Sequence, residues 1–279
     1  MRIQYISDIH LEIHKLPPKG YEDLLVPVAP VLALLGDIGD PESPEYEAFF
    51  TWASFHWKQI LLVPGNHEFW RIKPGSKKTI DSTLFLLRKL EQKFPNVCLL
   101  WRTKLISEDG VVILGCPLWS RPAEGLTPHE SEKAYVDRDN SFDAQTLTRL
   151  HEIDLRWLKQ ELKDIHDTTS VVVLTHYAPS LLLINRDNVG DAESTLYASD
   201  LDVLLRPPVV AWACGHVHQV VQWTKSWSTA TGQSGSVLIV TNPRGYPRQE
   251  TGWRRDAVLR IDPDANLQVS DSELAEYHD

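Results

Sequence analysis

Short apolar runs alternate with longer amphipathic stretches along this chain. Five of the runs are mostly hydrophobic and lead into polar or glycine-containing segments; they cover residues 3–6, 31–35, 60–63, 171–174 and 209–213. A strand buried on both faces of a parallel sheet has this composition, because other layers cover both of its sides. The five runs therefore predict buried, mainly parallel strands.

Segments with helical periodicity separate several of these runs. Apolar side chains recur at helical spacing in residues 45–57, 79–94 and 146–162. Ser43 and Pro44 predict the N-cap and the first position of the first helix, because a proline there needs no hydrogen-bond acceptor. Further strands are predicted at residues 97–101, 111–115, 220–223, 236–240 and 257–261. The alternation predicts an α/β fold, in which chemistry concentrates at the carboxyl ends of strands.

Two long stretches, residues 117–141 and 181–200, lack clear periodicity and are rich in acidic residues. Each closely follows a predicted strand end. Long irregular segments in a compact domain are often binding loops or lids. Each stretch is interpreted either as a binding loop beside a site or as a solvated surface segment.

Metal-ligand side chains follow each of the five predicted strand ends. The segments are Asp8-Ile9-His10, Gly36-Asp37-Ile38-Gly39-Asp40, Gly65-Asn66-His67-Glu68, Thr175-His176 and Gly215-His216-Val217-His218. Histidine, carboxylate and amide ligands without cysteine suit divalent ions such as Mn, Fe or Zn in a reactive centre rather than a structural zinc site. Ligands two residues apart on extended backbone would point to the same side, which predicts neighbouring ligands in the first and last segments.

The order of these five segments resembles the signature of the calcineurin-like metallophosphoesterase family, which reads DxH, GDxxD, GNHE, a lone His and GHxH. The match is complete at the level of side chains and runs from Asp8 to His218. The resemblance implies a four-layer α/β/β/α sandwich with a dinuclear metal site at the strand ends. Because segments this far apart have to converge, one domain over residues 1–279 is expected.

The resemblance also implies how the metal ligands are divided. By this comparison two divalent ions (Mn, Fe or Zn) are bound, with Asp37 as the carboxylate that bridges them. The other ligands are Asp8, His10 and His218 for the first ion, and Asn66, His176 and His216 for the second. Two ions at such a site neutralise the phosphoryl oxygens and acidify a water molecule.

Three residues outside the ligand set also receive roles. The resemblance implies that a metal-bridging hydroxide attacks the ester while His67 acts as general acid, with Asp40 orienting its imidazole. Asn66 is expected to contact substrate as well as metal. Arg244, in the segment Asn242 to Tyr246, either binds the substrate phosphate through its guanidinium or faces solvent. Glu12 and Glu68 are interpreted as supporting residues, and Trp70 and Trp119 as possible pocket walls.

The net charge and the composition limit the classes of partner that the protein is expected to bind. The formal net charge of −10 disfavours nucleic-acid polymers and anionic membranes, although metal ions would offset part of it. Three cysteines without paired spacing argue against a disulfide framework. The chain enters its first strand at once and contains no run of 18 apolar residues, which predicts a cytoplasmic protein without a membrane segment.

These observations favour hydrolysis of a small phosphomonoester or phosphodiester, without distinguishing the two or indicating an oligomeric state. A protein serine/threonine phosphatase is the first alternative, but Pro41 and Pro64 stand where that branch has phosphate-gripping arginines. A repair-type nuclease is disfavoured by the acidic charge. A catalytically silent scaffold is the remaining alternative, and against it no ligand of the signature is missing.

Overall fold

Two β-sheets lie face to face at the centre of the computed structural model, which describes residues 1–14, 20–72, 76–128, 134, 142–184, 191–228 and 234–261. The first sheet contains β1 (Arg2–Ile6), β2 (Val31–Leu35), β3 (Gln59–Val63), β4 (Val97–Leu99) and β11 (Val258–Arg260). Its order is β11-β1-β2-β3-β4. The strands β1 to β4 are parallel, and β11 pairs antiparallel with β1.

The second sheet has six strands in the order β5-β6-β7-β8-β10-β9. They are β5 (Thr103–Ile106), β6 (Val112–Gly115), β7 (Val171–Leu174), β8 (Val209–Cys214), β9 (Gln222–Ser228) and β10 (Ser234–Thr241). The four central strands are parallel, while the edge strands β5 and β9 pair antiparallel with their neighbours. Every neighbouring pair among β6, β7, β8 and β10 is therefore parallel, which places the carboxyl ends of these strands at one edge of the sheet.

Alternating side chains of the strands fill separate cores. In β2, Val31, Ala33 and Leu35 point into a core between the two sheets, whereas Leu32 and Leu34 point into a second core beneath helices. The outer face of the second sheet forms a third core with another helix. A period of two along a strand produces this division. The predicted four-layer α/β/β/α architecture is confirmed.

Five helices cover the outer faces. They are α1 (Leu11–His14), α2 (Tyr21–Leu24), α3 (Pro44–His56), α4 (Ile80–Lys93) and α5 (Ala144–Asp164). The predicted cap of α3 is confirmed, since the side chain of Ser43 accepts a hydrogen bond from the N–H of Tyr46 at 3.2 Å. Among the described residues no helix is long and apolar enough to cross a membrane.

The five apolar runs correspond to β1, β2, β3, β7 and β8, within one residue at each end. The strand β5 was not predicted, because this edge strand is short and only alternately half-buried. The strands after residue 220 complete both sheets rather than forming a separate unit: β9 and β10 extend the second sheet, and β11 closes the first.

Candidate metal centre

The predicted ligands meet where the two sheets bring their strand ends together. Ligand atoms of Asp8, Asp37, His176 and His216 lie within 4.8 Å of one another, and those of Asp8, His10 and His218 do likewise. Asn66 joins the first group, because its Oδ1 lies 2.9 Å from Nε2 of His176. All seven predicted ligands are thus adjacent. Asp8 is the carboxylate common to both groups, while the bridging role of Asp37 stays a prediction.

The backbone at five of these residues is left-handed. The φ angles are positive at Asp8, His10, Asp37, His216 and His218, with values of 52°, 50°, 55°, 68° and 48°. The predicted extended backbone at the DxH and GHxH pairs is therefore wrong. The two side chains of each pair nevertheless lie close together, as predicted. Left-handed backbone is uncommon outside glycine, Asn, Asp and His, and it concentrates at functional sites.

Glu68 ties two of the ligand loops together. Its buried carboxylate accepts hydrogen bonds from the N–H groups of Gly65 (2.7 Å), Asp37 (3.0 Å) and Ile38 (2.8 Å). The loops pack so closely that a Cβ on Gly65 would lie 2.3 Å from Oδ1 of Asp37. Burial, together with the charge of Asp37, raises the pKa of Glu68 to about 7. Glu68 is therefore a supporting residue, as expected.

Hydrogen bonds on the far side of each ring orient the ligand imidazoles. Nδ1 of His176 lies 2.8 Å from the carbonyl oxygen of Leu35, and Nδ1 of His218 lies 2.8 Å from Oε1 of Gln249. Because these partners only accept, each Nδ1 carries a proton, and the neutral ring presents a lone pair on Nε2. This is the state in which a histidine binds a metal ion.

The lone pairs face other electron-rich atoms at short range. Nε2 of His10 lies 3.3 Å from Nε2 of His218, and Nε2 of His176 lies 3.4 Å from Oδ1 of Asp37. Burial alone would lower the pKa of His176, but the carboxylates of Asp37 and Asp8 raise it to about 9. Buried clusters of this kind require compensating positive charge. The residues present therefore fit divalent metal ions.

His67 lies beside the ligands with both ring nitrogens occupied. Its Nδ1 is 2.9 Å from Oε1 of Glu12, and its Nε2 is 3.1 Å from the hydroxyl of Tyr246. The ring stacks on Trp70 with centroids 3.6 Å apart. Burial lowers the pKa of His67, while the carboxylates of Asp37 and Glu12 act in the opposite direction. Glu12 also binds Nδ1 of His10 at 3.2 Å, so one carboxylate orients two histidines.

The predicted role of Asp40 is corrected by this geometry. Asp40 accepts a hydrogen bond from the buried ammonium of Lys78 at 2.7 Å, and Lys78 also donates to the carbonyl oxygen of Glu68 at 3.0 Å. The carboxylate that orients His67 is Glu12. Asp40 instead forms a buried ion pair that fixes the loop after β2, because Lys78 is the cation within reach.

The predicted contact of Arg244 with substrate phosphate stays a prediction, because its side chain has another partner in this structure. Its guanidinium donates to the carbonyl oxygen of Ile9 at 3.4 Å, and Arg244 is not among the described residues that line the cavity. The same segment contributes Tyr246 to the cavity instead. The motif does reach the site, but through its tyrosine.

A cavity of about 460 Å³ opens over the centre. Its lining residues are Asp37, Asn66, His67, Trp70, Ile184, Asp191, Glu193, Ser194, Leu196, Tyr197, His216, Val217, His218, Gln219, Tyr246 and Gln249. No lysine or arginine occurs among these described residues. Such a volume is typical of sites for small molecules.

The two irregular stretches contribute differently to the cavity. The described part of residues 181–200 lines it, whereas the described part of residues 117–141 lies behind that wall. There Ser120 donates to the carbonyl oxygen of Leu196 at 3.1 Å, and Thr195 accepts from the N–H of Ala123 at 2.8 Å. Trp119 is wholly buried in the core rather than in the pocket wall. Residues 129–133, 135–141 and 185–190 lie outside the described residues.

Comparison with known proteins supports the same interpretation of the centre. The family model described as calcineurin-like phosphoesterase matches residues 1–220. An uncharacterized protein of Acanthamoeba polyphaga mimivirus is 27% identical over 299 residues, covering 94% of this chain and 98% of that protein.

Two solved structures share the fold. A phosphopantetheinyl hydrolase from Mycobacterium tuberculosis superposes with a TM-score of 0.64 at 17% identity, covering 98% of this chain and 97% of that one. A dimetal phosphatase from Danio rerio superposes with a TM-score of 0.55 at 13% identity, covering 94% of this chain and 92% of that one. At these identities the similarity concerns the fold.

Proposed function

The chain belongs to the calcineurin-like phosphoesterase family, and we propose that it hydrolyses a phosphate ester of a small molecule with two divalent metal ions. One observation carries this proposal. Two adjoining groups of buried ligand atoms, which share Asp8, lie at the floor of one cavity with His67 in its wall. The nitrogen and oxygen atoms in these groups are the kinds of ligand that divalent ions such as manganese, iron and zinc accept.

The residues that would hold the ions follow from these groups. Asp8, His10 and His218 would bind one ion and Asn66, His176 and His216 the other, and Asp37 is proposed as the carboxylate that both ions share. When bound, such ions neutralise phosphoryl oxygens and lower the pKa of a water molecule. Manganese, iron and zinc all suit this mixture of nitrogen and oxygen ligands.

The protein itself would position the proton for the leaving group. His67 holds one proton on Nδ1 against Glu12 and directs Nε2 toward the cavity. As imidazolium, stabilised by that carboxylate and by the arriving phosphate, it would act as general acid when the ester bond breaks. Trp70 fixes the plane of the ring by stacking on it.

The cavity favours a small substrate. Its described lining contains the exposed acidic residues Asp191 and Glu193 at the rim and no basic side chain, so a polyanion would gain no attraction beyond the metal ions. Pro41 and Pro64 replace the arginines expected of a protein serine/threonine phosphatase. A single phosphate with a modest organic group is the substrate that these features support.

Purified protein loaded in turn with manganese, iron and zinc tests the proposal. We expect turnover of p-nitrophenyl phosphate or bis-p-nitrophenyl phosphate that chelator abolishes and metal restores. Catalytic efficiency on a mononucleotide or a cyclic nucleotide should exceed that on a phosphopeptide and on single-stranded DNA. Absence of turnover with every metal would support the scaffold alternative, and preference for either large substrate would refute the small-molecule assignment.

A further inference from the structure

We infer that Tyr246 delivers the proton to the leaving group, as a relay between His67 and the departing oxygen. This inference rests on the proposed hydrolysis and adds a catalytic residue to it. Tyr246 lies beyond residues 1–220, the part of the chain that the family model matches, so its assignment comes from the structure of this chain alone.

The position of the hydroxyl is the first observation. It lies 3.1 Å from Nε2 of His67, which is the ring atom directed toward the cavity. Nδ1 of the same ring is held by Glu12 at 2.9 Å, so the imidazole cannot offer that nitrogen to a substrate. Both Tyr246 and His67 line the cavity. A proton that leaves Nε2 therefore meets the phenol oxygen first.

The tyrosine is fixed by its own backbone, which is the second observation. The N–H of Arg244 donates to the carbonyl oxygen of Ser7 at 3.0 Å, and the N–H of Gly245 donates to that of Asp8 at 3.0 Å. The N–H of Tyr246 donates to Oε1 of Gln249 at 2.7 Å. The segment is thus attached to the loop that carries the first metal ligand, where a preorganised donor is most effective.

The ring is held as firmly as the backbone. Its centroid lies 4.6 Å from that of His10 and 4.6 Å from that of His218. These two imidazoles are orientated by Glu12 and Gln249, so the phenol rests on ligands that are themselves constrained. The hydroxyl is consequently held in a fixed position beside the metal ligands, in the wall of the cavity.

The step balances without another reactant. Water forms the new bond to phosphorus, and its protons stay on the phosphate product. The bond to the leaving group breaks, and that bond's electron pair stays on the leaving oxygen. The phenol of Tyr246 gives its proton to this oxygen, and the Nε2 proton of His67 replaces it on the phenol. The leaving group departs as an alcohol, Tyr246 is unchanged and His67 becomes neutral. Solvent returns the proton to His67 after the product leaves.

Glu12 acts in this relay as a positioning residue. Its Oε1 contacts Nδ1 of both His10 and His67, at 3.2 Å and 2.9 Å. The carboxylate therefore fixes the angle at which Nε2 of His67 meets Tyr246. This effect does not require Glu12 to touch the substrate.

A series of leaving groups tests the relay. The rate of Tyr246→Phe is measured on p-nitrophenyl, phenyl and benzyl phosphates, and on the corresponding methyl diesters. p-Nitrophenolate needs no proton, so the p-nitrophenyl esters should lose the smallest part of their rate. The benzyl ester should lose part of the ~10²–10⁴-fold that general acid catalysis contributes, which makes the dependence on leaving-group pKa steeper. An equal loss on all esters, or no loss on the benzyl ester, would overturn the inference.

A double-mutant cycle distinguishes a relay from two independent effects. In a relay His67 and Tyr246 act in series, so the double variant His67→Ala/Tyr246→Phe should be no slower on benzyl phosphate than His67→Ala alone. Additive losses would contradict it. Tyr21→Phe is the matched control, because it also removes a tyrosine hydroxyl. That hydroxyl donates to the carbonyl oxygen of Glu45 at 3.4 Å, where α2 packs against α3. Its leaving-group dependence should equal that of the unaltered protein.

The same data separate failure of the relay from failure of the proposed function. If His67→Ala retains full activity on benzyl phosphate, the general-acid role fails and the relay with it. If His67→Ala is slow and Tyr246→Phe is not, only the relay fails. Metal content by elemental analysis accompanies each variant, so that a loss of ions is not mistaken for a loss of proton transfer.

Discussion

The ligand loops and the turn after β6 both contain left-handed backbone, but different groups stabilise it. Both follow strand ends, both are buried, and both contain non-glycine residues with positive φ. In the turn these residues are Leu118 and Trp119, with φ of 72° and 47°. Left-handed backbone is tolerated by the Asp and His of the ligand loops, but for Leu and Trp it costs roughly 1–2 kcal/mol per residue.

The turn after β6 is stabilised entirely by groups of the protein. The buried carboxylate of Asp154 accepts from the N–H of Leu118 at 2.9 Å and from Arg102 at 2.6 Å. Nδ1 of His151, also on α5, lies 2.9 Å from the carbonyl oxygen of Leu118. Every charge there has a partner. In the ligand loops, by contrast, carboxylates and imidazoles form one cluster whose negative charge bound cations would balance.

The largest expected effect removes the charge of one ligand. Asp37→Asn keeps the shape of the side chain but not the carboxylate, so metal content and activity should both fall by orders of magnitude. Elemental analysis and turnover with p-nitrophenyl phosphate measure the two. Two ions per chain together with near-normal turnover would refute the bridging role. Asp154→Asn is the comparison, and it should retain the ions.

The second-largest effect is expected in the turn after β6, where Asp154 pairs with other groups of the protein. Asp154→Ala leaves the N–H of Leu118 and the guanidinium of Arg102 without their partner, which should lower the free energy of unfolding by about 3–5 kcal/mol. The side chain of Arg102 is 26% exposed, so solvent reaches it and the lower value is expected. Denaturant unfolding measures this effect.

The control for that variant lies on the same helix. Asp143→Ala removes the N-cap of α5, whose exposed carboxylate accepts from the N–H of Thr146 at 2.7 Å, and should cost about 1 kcal/mol. If the two variants lose equal stability, the buried network contributes no more than an exposed cap. The comparison between the two regions would then fail.

The pH dependence of the free energy of unfolding tests the same comparison between the turn after β6 and the ligand loops. Burial raises the pKa of Asp154 to about 6, with Arg102 acting against the shift, whereas the ordinary value is 3.8. The folded state therefore binds this proton more tightly than the unfolded state. The contribution of Asp154 to the free energy of unfolding is fully present below pH ~4 and is lost as pH rises through ~6, a change of roughly 3 kcal/mol.

Measured against Asp154→Asn, this dependence has a definite direction. The asparagine does not titrate, so the stability of the unaltered protein relative to that variant should increase as pH falls from about 6 to about 4. The measurement is made on metal-free protein, so that ligand protonation does not enter differently in the two chains. A relative stability that decreases over this interval would contradict the assigned environment of Asp154.

The smallest effect concerns a residue that orients a ligand without binding metal. Gln249→Ala removes the acceptor of Nδ1 of His218, and metal affinity should fall about 10–100-fold. Calorimetric titration with manganese measures it. Gln222→Ala, at an exposed position on β9, is the control and should bind as before. Equal affinities would mean that the imidazole needs no external orientation.

The sequence predicted both the strands and the ligand positions, because local patterns determine them. Apolar runs identify buried strands, and the residues that follow such runs in a parallel sheet meet at one edge. Side-chain partners are different, since they depend on distances across the fold. Asp40 was assigned to His67 by its spacing, yet Lys78 lies closer to it and Glu12 lies closer to His67.

Other features had no local signal. The segment that was predicted to contribute Arg244 contributes Tyr246, because the direction of each side chain depends on how the segment pairs with Ser7 and Asp8. The strained turn at Leu118 reads in the sequence as ordinary apolar residues. Its cause is Asp154, which is 36 residues away on α5.

The pairing of β11 with β1 has a consequence for biosynthesis. Arg2 pairs with Arg260, and the amino group of Met1 donates to the carbonyl oxygen of Ile261 at 2.6 Å. The strand that precedes Asp8 and His10 therefore acquires its last neighbour only when residue 260, about 250 residues later in the chain, has left the ribosomal exit tunnel. Contacts of such long sequence separation form slowly. A nascent chain thus lacks the outer strand of the first sheet until residue 260 has been synthesised and has left the tunnel.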